Sequence, residues 1–177
     1  MKLLILASGT GSLAQALIDA KFDIAAVVTD VPGAQVIDRA AKAGIPTKVI
    51  PFRKPRSDWD AELIEYVSSV NPDLVVSVGF MRILSADFVS RFKVINSHPA
   101  LLPNFPGAHA VRDALAAGAI ETGCTVHWVD AGVDTGPVIA QVAVAIEPND
   151  DESSLHERIK IVERKLIVET IQKLEER

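Results

Sequence analysis

Two short stretches of this chain carry side chains whose types and spacing suit proton transfer and anion stabilisation. In Ile95-Asn96-Ser97-His98-Pro99, Asn96 and His98 are two residues apart, so on an extended strand they face the same side. Pro99 disfavours the helical region for His98 and keeps the backbone extended up to the imidazole. An amide beside an imidazolium offers two donors to one developing oxyanion. In Asp130-Ala131-Gly132-Val133-Asp134-Thr135-Gly136-Pro137, Asp134 is a turn carboxylate whose neighbouring glycines let backbone approach a ligand closely. If Asp134 reaches His98 it favours the protonated ring; if it does not, it can still move a proton through water. Taken singly, a His or an Asp in such a turn is more often a structural hydrogen-bonding group.

A third stretch suits an anion. Ser8-Gly9-Thr10-Gly11-Ser12 joins the first strand to the first helix, where free backbone N–H groups and the positive end of a helix dipole can hold a phosphate. The run from Gly9 to Ala14 also satisfies the loose G-x-G-x-x-A pattern, and Asp30 closes the second strand where a dinucleotide fold keeps its ribose-binding acid. A nucleotide phosphate, a nicotinamide dinucleotide and a glycine turn chosen for tight geometry alone are all open at this point. Against the dinucleotide, the chain has no room for a separate substrate domain. No H-E-x-x-H, cysteine pair or carboxylate cluster of metal-ligand type is present, so no metal is implied. The lone Cys124 lies in an apolar stretch and reads as a buried, reduced thiol without a catalytic role.

The elements that must position these groups alternate. β-rich runs at 3–6, 24–29, 48–50, 74–78 and 94–96 are separated by helical patterns at 12–20, 34–43, 58–70 and 85–91. Four βα units of this kind predict parallel strands with crossover helices. After residue 108 the pattern changes to a helix at 110–117 and two β-type runs at 122–129 and 138–146, which read as antiparallel. From Asp150 an amphipathic segment places Leu155, Ile159, Val162, Leu166, Ile167 and Ile171 on one stripe, with Asn149, Asp150 or Asp151 as N-cap. The expected fold is therefore α/β: an open, mostly parallel, Rossmann-like twisted sheet with helices on both faces and antiparallel strands in the C-terminal half. At 177 residues the expectation is a single domain. A formal net charge of −5 without a basic run disfavours nucleic acid as a partner. No apolar run approaches the ~20 residues of a membrane span, and the apolar opening leads into a glycine turn, so a cytoplasmic location is expected.

Three longer motifs, taken together, are specific. They are Gly79-Phe80-Met81-Arg82-Ile83-Leu84, then Asn96 to His109 (Asn-Ser-His-Pro-Ala-Leu-Leu-Pro-Asn-Phe-Pro-Gly-Ala-His), then Val126-His127-Trp128-Val129 with Asp134-Thr135-Gly136-Pro137. In this order over nearly the whole chain, they resemble the folate-dependent formyltransferases, and among these the phosphoribosylglycinamide (glycinamide ribonucleotide) formyltransferases. The resemblance implies transfer of a formyl group from 10-formyltetrahydrofolate, the co-substrate, to the amine of glycinamide ribonucleotide in purine biosynthesis. It implies a nucleotide-binding half over about residues 1–100 and a folate-binding half with the closing helix over about 101–177, in a monomer or homodimer. Carried over by motif, Asn96, His98 and Asp134 are the catalytic residues. Gly11, Ser12 and Leu13 hold the substrate phosphate, and Glu163 lies near the glycinamide substrate. Arg56, Met81, Arg82, Ile83, Leu84, Asn96, Asp130, Ala131, Gly132, Val133 and Asp134 line the folate site. Asp30 receives no role. The chain departs from the family at Leu13, where many relatives carry Asn, at Ala100, where Ser is usual, and in ending soon after its last helix. The Phe105-Pro106-Gly107-Ala108-His109 stretch disfavours a formyltetrahydrofolate hydrolase and a methionyl-tRNA formyltransferase.

Overall fold

The computed structural model describes residues 1–176. Its elements are β1 (Leu3–Leu6), α1 (Ser12–Asp19), β2 (Ile24–Thr29), α2 (Gln35–Lys42), β3 (Thr47–Val49), α3 (Arg56–Val70) and β4 (Leu74–Val78). They continue through α4 (Ala86–Arg91), β5 (Val94–His98), α5 (Ala110–Ala116), β6 (Glu121–Trp128), β7 (Val138–Ala145) and α6 (Glu152–Glu175). The seven strands follow the order β3-β2-β1-β4-β5-β6-β7. β1 runs parallel to β2 and β4, β2 runs parallel to β3, and β6 pairs antiparallel with β7. The α/β class and the change to antiparallel pairing are those expected. By compactness the chain divides between Ile95 and Asn96, so Asn96 and His98 fall with the second unit.

In the first unit, Leu3, Leu4, Ile5 and Leu6 of β1 are all fully buried, the pattern of a parallel strand covered on both faces. Helix α3 begins at Arg56, two residues ahead of the periodic apolar pattern, because Pro55 occupies its N-cap in an extended conformation. The helix buries Trp59, whose indole Nε1 donates to the Ile50 carbonyl at 2.9 Å. The parallel strands place three turns at their carboxyl ends: 8–11 after β1, Asp30 after β2 and Gly79 onward after β4.

In the second unit, β5 continues to His98 rather than ending at Asn96, as the constraint of Pro99 on the preceding backbone requires. Gly123 lets β6 pair closely with β7, since a Cβ there would lie 2.1 Å from the Val142 carbonyl oxygen. α6 packs on β6, β7 and α5. Leu155, Ile159, Leu166, Ile167 and Ile171 are buried as the stripe predicts, but Val162 is only half-buried. Glu163 and Thr170 are buried instead. At 100° per residue, Glu163 lies four residues after Ile159 and four before Ile167 on the inward row. Reading only apolar residues passes over it. Among the three candidate caps the helix uses Asp151, whose side chain accepts the Ser154 N–H at 2.8 Å while Ser154 Oγ accepts the Asp151 N–H at 3.1 Å. Asp150 instead holds Arg158 at 2.5 Å. Among the described residues no helix is long and apolar enough to cross a membrane.

Candidate active site

The second unit brings Asn96, His98 and Asp134 together, with a fourth residue among them. His98 Nε2 lies 2.8 Å from the Phe105 carbonyl oxygen and Nδ1 lies 3.4 Å from Asp134 Oδ2. A carbonyl only accepts, so Nε2 carries a proton; only the imidazolium offers a proton to the carboxylate as well. Asp134 Oδ1 lies 3.5 Å from His127 Nε2, and its Oδ2 accepts the Gly107 N–H at 2.8 Å. Burial works to raise the Asp134 pKa, but the His127 hydrogen bond, the Gly107 N–H and the two ring charges outweigh it. The carboxyl is therefore held below its ordinary value. Asp134 has a backbone φ of 54°, a left-handed conformation that Asp tolerates better than most residues.

His127 was not singled out by the sequence, although it stands in the third motif. Its Nδ1 lies 2.8 Å from the Trp128 carbonyl oxygen, so that nitrogen is the donor, and Nε2 meets the Asn96 amide nitrogen at 3.2 Å. His127 Nε2 therefore stands between the Asn96 amide and the Asp134 carboxylate, and the ring holds that amide in place. His127 is 2% exposed in a strand buried from Thr122 to His127, and a buried imidazole requires partners. Thr125 holds the turn after His98, donating to the Ala100 carbonyl at 2.7 Å and accepting the Leu102 N–H at 3.1 Å. Ala100 takes part through its backbone, so its missing hydroxyl leaves that turn intact.

Glu163 lies behind the strand rather than in front of it. It is 3% exposed, and its Oε1 accepts from Ser97 Oγ at 2.8 Å, between the two catalytic candidates in sequence. Burial pushes its pKa up to about 7, against the Ser97 hydrogen bond and the charges of Lys160 and Arg164. Cys124 is fully buried, and burial, reinforced by the charge of Glu163, pushes its thiol up to about 12. It is no nucleophile near neutrality.

The 130–134 turn folds back on itself. Asp130 Oδ1 accepts from Thr135 Oγ1 at 2.6 Å and from the Gly132 N–H at 3.0 Å. The Thr135 hydroxyl is the first reason that the Asp130 carboxyl sits below its usual range. A Cβ on Gly132 would lie 2.0 Å from Thr135 Oγ1, and one on Gly136 would lie 1.8 Å from the Trp128 carbonyl oxygen. Both glycines are therefore demanded by close approach, which leaves Ala131 and Val133 exposed at the tip.

In the first unit, Gly11 caps α1 with a φ of 71° and no side chain supplies a cap hydrogen bond. The amides of the first helical turn are left for another acceptor. A Cβ on Gly11 would lie 2.6 Å from Val36 Cγ2, so tight geometry demands this glycine whatever the turn binds. Leu13 is buried, which limits its part in anion binding to its N–H. Residues 81–84 are pinned at every position. The Met81 N–H donates to Ser8 Oγ at 2.8 Å, Arg82 pairs with Asp30 at 2.6 Å, Arg56 donates to the Ile83 carbonyl, and the Leu84 side chain is buried. The Met81 and Ile83 side chains remain exposed. Arg56 thus belongs with this loop, as expected. Among the described residues no group of three or more His, Cys, Asp and Glu is arranged to hold a metal ion.

The chain matches the formyl transferase family over residues 1–171. It is 47% identical to phosphoribosylglycinamide formyltransferase of Mycobacterium tuberculosis, covering 96% of this chain and 83% of that one. It is 48% identical to the trifunctional purine biosynthetic protein adenosine-3 of Drosophila melanogaster over 88% of this chain and 12% of that protein. The solved phosphoribosylglycinamide formyltransferase of Streptococcus pneumoniae superposes with a TM-score of 0.93 at 36% identity, covering 98% of both chains. That of Bacillus halodurans gives 0.94 at 35% identity over 98% of this chain and 95% of that one. With the family match spanning residues 1–171 and a relative 47% identical over 96% of the chain, the chain belongs to the formyl transferase family.

Proposed function

We propose that this protein transfers the formyl group of 10-formyltetrahydrofolate to the amine of glycinamide ribonucleotide, giving formylglycinamide ribonucleotide and tetrahydrofolate, in de novo purine biosynthesis in the cytoplasm. The observation that carries the reading is the cluster of Asn96, His98 and Asp134, with an acceptor at each His98 nitrogen. The neutral amine attacks the formyl carbon, and the carbonyl electrons move to its oxygen. The Asn96 amide donates to that oxyanion, and the His98 imidazolium, with its two N–H groups turned to the Phe105 carbonyl and Asp134, stabilises it by its positive charge. As it collapses, the bond to the folate nitrogen breaks, and the proton lost by the amine is returned to that nitrogen through Asp134 or water. Asp134 also orients His98. Preorganised donors of this kind are typically worth ~3–4 kcal/mol of barrier each.

We assign the nucleotide phosphate to the amides of Gly11, Ser12 and Leu13; the glycinamide end goes to the face of β5 that carries Asn96 and His98, and Glu163, buried behind that strand, bears on it through Ser97. The folate goes to Arg56, residues 81–84, Asn96 and residues 130–134. The nucleotide half is taken to extend to about residue 100 and the folate half from there on, within one functional domain, in a monomer or homodimer. The decisive experiment is turnover of 10-formyltetrahydrofolate with and without glycinamide ribonucleotide. Formyl transfer that requires the amine supports the reading. Formyl loss without it would make the protein a hydrolase.

A further inference from the structure

Asp30 is the one residue the sequence marked that the proposed function leaves without a task. Its side chain is 1% exposed, so the ribose of a dinucleotide cannot reach it. Both carboxylate oxygens are engaged within the first unit: Oδ1 accepts from Ser8 Oγ at 2.5 Å and Oδ2 accepts from Arg82 Nε at 2.6 Å. Ser8 passes the constraint on, since its Oγ also accepts the Met81 N–H at 2.8 Å. Arg82 is held from its other side by the Phe52 ring, 4.5 Å from the guanidinium carbon to the centroid. The glycine turn that follows Ser8 is secured separately, by Arg39 Nε on the Thr10 carbonyl at 2.7 Å and by the Val36 N–H on the Gly9 carbonyl. One buried carboxylate therefore governs two of the four attachments of the 81–84 loop, and none of those that secure 9–12.

We propose that Asp30 is the positioning residue for the folate loop, fixing Met81 and Arg82 so that the exposed Met81 and Ile83 side chains form a rigid apolar edge for the co-substrate. A buried carboxylate without its cation is strongly disfavoured, so loop and carboxylate hold each other. A loop ordered before binding loses less entropy when the ligand arrives. This inference rests on the reading that residues 81–84 meet folate.

The test compares the unmodified protein with Asp30→Asn, which keeps the shape and removes the charge, and with Ser8→Ala, which releases Met81 while retaining the Arg82 pair. Three quantities are read in each: amide hydrogen exchange of residues 80–84 without ligand, affinity for tetrahydrofolate, and affinity for glycinamide ribonucleotide. In Asp30→Asn, exchange at 80–84 should rise at least tenfold with the β1 amides unchanged. Tetrahydrofolate should bind at least tenfold more weakly and glycinamide ribonucleotide within threefold of normal. Ser8→Ala should show the same selectivity, and it carries the test if Asp30→Asn does not fold. Unchanged loop exchange in a folded variant, or equal weakening of both ligands, would overturn the positioning role. Faster exchange with unchanged tetrahydrofolate affinity would overturn the loop's assignment to folate. Turnover by the unmodified protein is measured alongside, so failure of the formyl-transfer reading shows itself separately.

Discussion

His98 faces an acceptor at both ring nitrogens, whereas His127 faces a carbonyl at one and an amide and a carboxylate at the other. The two imidazoles, though both touch Asp134, are set for different work. His98 is held between the Phe105 carbonyl and Asp134 at the end of β5. His127 orients the Asn96 amide. Replacing Asn96 or His98 by Ala, or Asp134 by Asn, should lower kcat at least ~100-fold, the scale of a lost oxyanion donor or acid–base group, with unfolding curves little changed. Near-normal turnover in any of them would remove that residue from the mechanism. Because the groups act together, double variants should lose much less than the product of the single losses. His127→Gln should lower kcat by roughly tenfold at unchanged tetrahydrofolate affinity, as expected when the donor remains but its aim is lost; a change in affinity alone would contradict that role. Spacing on one strand made Asn96 and His98 legible in the sequence, and flanking glycines exposed Asp134. His127 was illegible because its importance lies in what faces it, 31 residues away from Asn96, and no local pattern carries that. Gly11→Val, which the glycine turn suggests as a probe of phosphate binding, is compromised by the Val36 contact. Ser12→Ala is cleaner: if backbone amides carry the phosphate, the constant for glycinamide ribonucleotide should move less than about threefold, under ~1 kcal/mol.

At the level of elements, α6 carries two features with opposite effects. Its capping box at Asp151 and Ser154 satisfies N-terminal amides, so Asp151→Ala should cost about 1 kcal/mol in denaturant unfolding. Glu163 burdens the same helix. Its folded pKa of about 7 exceeds the ordinary Glu value, so burial favours the neutral acid. Its contribution is fully present below the unfolded pKa and is lost as pH rises through 7, a swing on the order of 3 kcal/mol. Glu163→Gln, which can still accept from Ser97, should therefore raise the melting temperature at pH 8 and leave it nearly unchanged at pH 4.5. Equal effects at both would refute the buried-acid account. Strand and helix alternation was readable because each element is long enough to show its period. The ends of β5 and α3 were less so, since the two prolines, Pro99 and Pro55, extend the conformations beside them beyond the apolar pattern.

For the molecule as a whole, a ligand that binds only the folded chain shifts its unfolding by mass action. Tetrahydrofolate at 100 times its dissociation constant should add about 2.7 kcal/mol, or roughly 5–10 °C in melting temperature for a chain of this size. No shift with tetrahydrofolate beside a clear one with glycinamide ribonucleotide would count against the folate assignment. The buried carboxyl beneath Ser97 also leaves a calorimetric signature. Between roughly pH 4.5 and 7 the native chain carries a proton there that the denatured chain has given up. Melting in that interval therefore delivers up to one hydrogen ion from this site to the buffer. The heat absorbed should then depend on the buffer's own enthalpy of ionisation, differing between acetate or phosphate and an amine buffer at one pH, and Glu163→Gln should narrow that difference.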